Sequence, residues 1–233
     1  MQESMIVLAL IGANLLMTVQ AFNQPAFLEK YLFQIGPILR RKEWIRLLSS
    51  GFLHGDWMHF AFNMITFYSF GPLIESVFGM YGLLVIYFGS LLGGNALALF
   101  IHRHNDYYRA LGASGAVSGI VFASILVDPS MPLYLFFIPI GIPAWIIGIA
   151  YMAYSINGMR TRTDNIGHEA HMGGALVGLG LGIALIPQLL LKEPLILGIL
   201  VIPTILFLFF MIKDPDFVNS GKINWHKIFN RRN

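Results

Sequence analysis

Apolar positions in this chain gather into long runs and do not follow the two-residue alternation of a half-buried strand. Seven of them are long and apolar enough to cross a bilayer as helices, which takes roughly 17 to 25 residues. They lie near Met5–Phe22, Gly51–Phe70, Tyr81–Ile101, Ala113–Val127, Leu133–Ala153, Ala170–Leu191 and Leu195–Ile212. The fourth is short, and its first residues are expected to be buried in protein and not in lipid. No Lys or Arg precedes the first run, and no small-residue cleavage site follows it, so it reads as a retained span and not as a signal peptide. The segment Asn23–Ser50 is too long for a simple helix connection. Its apolar clusters, Phe27-Leu28, Tyr31-Leu32-Phe33, Trp44-Ile45 and Leu47-Leu48, are interleaved with Arg40, Arg41, Lys42, Glu43 and Arg46, the pattern of an anchoring segment half sunk in the membrane interface.

Composition agrees with the runs. Of 233 residues, 56% are hydrophobic and 12% charged, about half the charged fraction of a soluble domain. The chain is therefore expected to be an all-α polytopic membrane protein with one compact membrane domain over residues 1–212 and a short basic tail over 213–233. Cysteine is absent, which excludes disulfides, thiolate metal sites and a cysteine nucleophile. The net charge of +3 comes from basic residues beside apolar runs, where anionic lipid headgroups account for them. The bilayer is thus the expected partner, and no signal for nucleic acid is present. With seven spans, fourteen of the fifteen Lys and Arg residues share one side, Lys192 being the exception, and the positive-inside rule would make that side cytoplasmic.

Polar groups inside spans are functional candidates, and three clusters stand out. The second run opens with His54, His59 and Asn63, the last two lying four apart on one helical face. The fourth opens with Gly112-Ala113-Ser114-Gly115, followed by Ser118 and Gly119. The sixth opens with His168, Glu169 and His171, followed by Gly174, Gly178 and Gly182. All three sit at the helix ends joined to the basic loops, so they are expected to meet at one depth. Small residues spaced by four let membrane helices approach closely, which makes a Ser114–His171 hydrogen bond geometrically reasonable; the same glycines also serve plain helix packing.

Two chemistries compete for these residues. A zinc-protease helix carries His-Glu-x-x-His, whereas His168-Glu169-Ala170-His171 has its histidines three apart. Serine needs an adjacent base to become a nucleophile, and acyl transfer needs donors aimed at the developing oxyanion. His171 suits the first task. The Ser114 backbone N–H at a helix N-terminus, with His59 and Asn63, suits the second. A serine mechanism therefore employs more of the residues than a metal does.

These motifs, in this order, resemble the rhomboid family of intramembrane serine proteases. Trp44-Ile45-Arg46 resembles its Trp-x-Arg element. His54, His59 and Asn63 resemble its His-x4-His-x3-Asn element, Gly112-Ala113-Ser114-Gly115 its Gly-x-Ser-Gly, and Ala170-His171 with Gly174 and Gly178 its Ala-His-x-x-Gly-x-x-x-Gly. Glu75-Ser-Val-Phe-Gly79 is similar to the end of the family's second core helix. The resemblance covers about residues 5–191 and implies a six-helix core with the span at 195–212 as an added seventh. It implies Ser114 as nucleophile, His171 as general base without a carboxylate partner, His59 and Asn63 at the oxyanion, and His54 as structural, with Gly112, Gly115, Gly174 and Gly178 shaping the site. His168 and Glu169 are then rim loop residues, with His168 a candidate for tuning His171.

No metal or organic cofactor is implied; the expected partners are transmembrane protein substrates, reaching the site beside the fifth span near Pro139, Gly141, Pro143 and Trp145. The family resemblance also implies the cell membrane with the site on the extracytoplasmic side, against the charge count. One position departs: four residues after Ser114, where relatives often carry an aromatic stacked on the histidine, this chain has Ser118, which leaves the support of His171 open. Two other classes are a catalytically silent rhomboid-like protein that binds transmembrane clients, against which an intact Ser114 and His171 argue, and a small transporter, against which the lack of paired intramembrane carboxylates argues.

Overall fold

The computed structural model describes residues 4–134, 140–161, 164 and 166–213. Helix α1, Met5–Asn23, starts at Ser4, whose hydroxyl accepts from the Val7 N–H. The segment that follows folds into α2 (Pro25–Tyr31), β1 (Phe33–Gln34), α3 (Ile35–Arg41) and α4 (Arg46–Ser49). Its keystone is Arg46, 3% exposed. The guanidinium donates to the carbonyls of Glu29 and Leu32 at 2.8 Å each and to Glu43 Oε2 at 2.6 Å. Five donors in a rigid fork suit this task of tying three stretches of irregular chain together. Trp44 and Ile45 stay exposed, as an anchoring role requires, while Arg46 belongs to the interior.

Helix α5 spans Trp57–His102 and turns at Gly79, whose φ of +73° is costly for any residue with a Cβ. It therefore makes two arms, 57–78 and 80–102, in place of the second and third runs. The first arm begins at Trp57 and not at Gly51, because Ser50–Phe52 forms a 3₁₀ turn and the Asp56 carboxylate caps the helix by accepting from the His59 N–H at 2.8 Å. After β2 (Arg109–Ala110), which pairs antiparallel with β1, come α6, Ser114–Val127, then β3 (Pro132–Leu133) and β4 (Ile142–Pro143), paired with each other.

The fifth run is corrected here: its helix, α7, covers Ala144–Thr161 and not Leu133–Ala153. The pairing of Pro132 with Pro143 and of Leu133 with Ile142 keeps those residues out of a helix; residues 135–139, Pro139 among them, and the basic tail at 214–233 fall outside the described residues. Helix α8 covers His168–Leu185 and stops six residues earlier than expected, since Pro187 disfavours helix at Ile186. Short α9 (Leu189–Lys192) leads into α10 (Pro194–Lys213).

By length and apolar composition α1, α5 and α10 are each able to cross a membrane, and the chain is an all-α polytopic membrane protein. Helix α6 is its axis. Eleven of its fourteen residues are buried, so it is enclosed by protein on all faces, chiefly by α5 and α8. Its contact with α8 is backbone on backbone: a Cβ at Gly174 would fall on the Gly115 carbonyl, and one at Gly178 on Gly119. The Ile120, Phe67, Leu83 and Tyr87 cluster fills the α5 side, and Phe122, Ile125, Met172 and Leu179 fill the side toward α7, α8 and α10.

Candidate active site

Ser114 is delivered by a turn that only glycine serves well. Gly112 has a φ of +125° and donates its N–H to the Ser50 carbonyl at 3.0 Å. The chain then enters α6 with Ser114 as its first residue, so the Ser114 N–H is among those that a helix N-terminus leaves without an intrahelical acceptor. His171 stands in the first turn of α8, its N–H donating to the Gly167 carbonyl at 3.1 Å. Because the two helices touch through glycine backbones, the side chains reach each other: Ser114 Oγ lies 2.7 Å from His171 Nε2. His171 Nδ1 is buried and has no hydrogen-bond partner among the described residues.

The first arm of α5 brings the other expected groups. The His59 ring covers Gly112, so that a Cβ there would stand 2.7 Å from its Nε2 and 3.6 Å from Ser114 Oγ. Asn63, one turn on, donates to the His59 carbonyl at 2.9 Å and keeps a second amide hydrogen. Both line, with Ser114 and His171, an open cavity of about 1470 Å³. His54 is in the loop behind them and 1% exposed. Its Nδ1 lies 2.9 Å from Thr18 Oγ1 and its Nε2 accepts from the Ala113 N–H at 3.5 Å. Burial, reinforced by His59 and opposed by Asp56, pushes the His54 pKa down to about 3, so it is the neutral ring that joins α1 to the turn before Ser114.

Two expectations change. His168 and Glu169 are not rim loop residues but the buried first turn of α8. Glu169 Oε1 lies 3.0 Å from His102 Nε2 at the end of α5, and His102 stacks on Tyr108. His168 Nε2 lies 3.1 Å from Asp164 Oδ1, and its ring stands edge-on to His171 with centroids 6.2 Å apart. The second change is a residue that no motif marked. Tyr151 of α7 stacks on His171, with centroids 5.9 Å apart and planes at 19°, and its hydroxyl lies 2.6 Å from Ser118 Oγ. The signal for it was Ser118 itself, a hydroxyl on the buried helix that calls for a partner.

The structure is thus a polytopic membrane protein whose glycine-packed helices bring a serine hydroxyl into hydrogen-bond contact with a buried imidazole. The chain belongs to the rhomboid family: the family profile described as Rhomboid domain matches residues 41–188. It is 34% identical over 190 residues to RHOMBOID-like protein 12, mitochondrial, of Arabidopsis thaliana, covering 74% of this chain and 56% of that protein. It is 28% identical to Rhomboid protein 1, mitochondrial, of Saccharomyces cerevisiae (66% of this chain, 44% of that one), and 30% identical to Rhomboid protease AarA of Providencia stuartii (62% and 57%). The chain thus spans about half the length of these relatives. Two are mitochondrial by name and one is bacterial, so the assignment that stands is an integral membrane protein, and the cell membrane expected above gains no support.

Proposed function

We propose that this chain is an intramembrane serine endopeptidase that cleaves membrane-anchored proteins within or beside a transmembrane segment. The observation that carries the reading is the 2.7 Å contact between Ser114 Oγ and His171 Nε2 at the wall of a cavity open to the outside. In this reading Ser114 Oγ attacks the scissile carbonyl carbon while His171 Nε2 takes its proton and then delivers it to the leaving amine. Water from the cavity hydrolyses the resulting acyl ester, with His171 again the base. The oxyanion would form at the N-terminus of α6, near the Ser114 N–H, the His59 ring and the free hydrogen of the Asn63 amide, where the helix dipole also favours negative charge. The relative named Rhomboid protease AarA supports the class of activity.

A substrate helix must be unwound before its carbonyl can be attacked, because a regular helix ties that carbonyl into a hydrogen bond. Substrates with helix-breaking residues near the cleaved bond are therefore favoured. Phe62, Thr66 and Phe70 of α5 and Ile147 and Gly148 of α7 line the cavity between those two helices, and we assign access from the bilayer to that flank. We also keep the arrangement of six core spans, with α10 as a seventh, and a site opening to the extracytoplasmic side. The test is labelling with a fluorophosphonate probe in detergent, followed by cleavage of a transmembrane substrate in proteoliposomes, each beside Ser114→Ala and His171→Ala. Loss of both signals in both variants is expected. Labelling that persists without Ser114 overturns the site, and a folded protein that neither labels nor cleaves is the silent client-binding relative.

A further inference from the structure

A histidine that takes a proton through Nε2 needs its ring plane fixed, and the usual device is a hydrogen bond to the other nitrogen. His171 Nδ1 has no such partner among the described residues, so, apart from the Ser114 contact at Nε2, the ring's orientation rests on what packs on it. Two rings do. His168 meets it edge-on, and Tyr151 lies across its face at 19°. The far end of Tyr151 is itself fixed, since its hydroxyl is 2.6 Å from Ser118 Oγ, one helical turn after Ser114. Ser114, His171, Tyr151 and Ser118 therefore close a loop of contacts across α6, α8 and α7.

We propose that Tyr151 is a positioning residue for His171: its ring sets the plane of the imidazole, and the Ser118 hydroxyl sets the position of that ring. The proposal rests on the reading of Ser114 and His171 as the nucleophile and base. Packing alone would be met by phenylalanine. The phenol and Ser118 satisfy each other in a part-buried place where either one alone would leave a polar atom unpaired, so the pair fixes a direction as well as filling space. Tyr151 also lines the cavity, and its position bears on the site as well as on the core.

The test is the second-order rate of fluorophosphonate labelling, which reads the activation of Ser114 without a peptide substrate, measured with thermal unfolding of the same samples. Tyr151→Leu is expected to slow labelling at least tenfold while the unfolding midpoint stays within a few degrees. Tyr151→Phe and Ser118→Ala are expected to slow it two- to fivefold. Ser118→Tyr added to Tyr151→Leu, which offers a ring from the facing position on α6, is expected to recover at least threefold. A Tyr151→Leu rate per folded protein within twofold of the unaltered protein overturns the proposal. If Tyr151→Leu does not fold, Tyr151→Phe and Ser118→Ala decide, and unchanged rates in both overturn it. An unlabelled parent, or labelling that survives Ser114→Ala, removes the nucleophile–base reading first and this proposal with it.

Discussion

Gly178→Ala adds one methyl group two turns away from His171, roughly 10 Å along α8, and touches no group of the site. The added Cβ would stand 2.5 Å from the Gly119 Cα and 2.7 Å from its carbonyl carbon, where carbon atoms prefer about 3.5 Å or more. Backbone cannot rotate aside as a side chain can, so α8 must move from α6 by about 1 Å. Overpacking of this kind costs about 1–3 kcal/mol, of which the better helix propensity of alanine returns up to about 1 kcal/mol. The same displacement carried to the dyad stretches the 2.7 Å Ser114–His171 contact beyond the roughly 3.2 Å reach of a hydrogen bond. A misplacement of that size costs about 100-fold in rate.

The assay is fluorophosphonate labelling rate beside thermal unfolding, with Gly180→Ala as the control. Gly180 is exposed on the same helix with nothing near its would-be Cβ, so that variant keeps its labelling rate and gains slightly in stability. A Gly178→Ala protein that labels within threefold of its parent and melts with it would refute the argument that backbone contact sets the dyad distance.

Arg46→Ala strands the Glu29 and Leu32 carbonyls and is expected to cost about 3 kcal/mol, read as a lower unfolding midpoint and faster proteolysis at 23–50. Replacing Asn14 and Tyr87 together, as Asn14→Leu with Tyr87→Phe, is expected to stay within about 1 kcal/mol of the parent, because both partners of the buried 3.2 Å contact leave at once; Tyr87→Phe alone costs more, which unfolding in detergent checks. His54, with a pKa lowered to about 3, favours the folded state while neutral. Its contribution is complete above the unfolded value of about 6.5 and is lost as pH falls toward 3, amounting to about 2 kcal/mol by pH 5. His59 and Asp56 stand beside it in both proteins, so the difference in acid sensitivity between the parent and His54→Gln isolates the effect, and identical pH profiles would refute it.

Residues whose role is local in the chain were legible. Gly112 and Ser114 sit in a turn and first helical position that their own types dictate, and the four-residue glycine spacing on α6 and α8 pointed to the contact that the fold makes. The start of α7 was not, because an apolar run reads equally as helix or as irregular chain, and only the pairing of Pro132 and Leu133 with Ile142 and Pro143 decides where the helix begins. Glu169 read as a loop residue since its partner, His102, lies 67 positions away. Tyr151 escaped for the same reason: an aromatic on an apolar helix looks like core until α6 and α8 are set against it.

The enclosure of α6 also has a consequence in time. Fourteen residues rise about 21 Å, less than the roughly 30 Å of hydrocarbon in a bilayer, so this helix is housed by its neighbours and not by lipid. One of its two chief neighbours, α8, is made after it. His171 is 57 positions after Ser114, and at about 5–20 residues per second the ribosome needs roughly 3 to 11 s to bridge them. During that interval the nascent chain carries a serine with no base and a helix with half its housing. On the reading proposed for Ser114 and His171, reactivity is therefore conferred only once α8 is in place, and a chain arrested before it is inert toward the membrane that surrounds it.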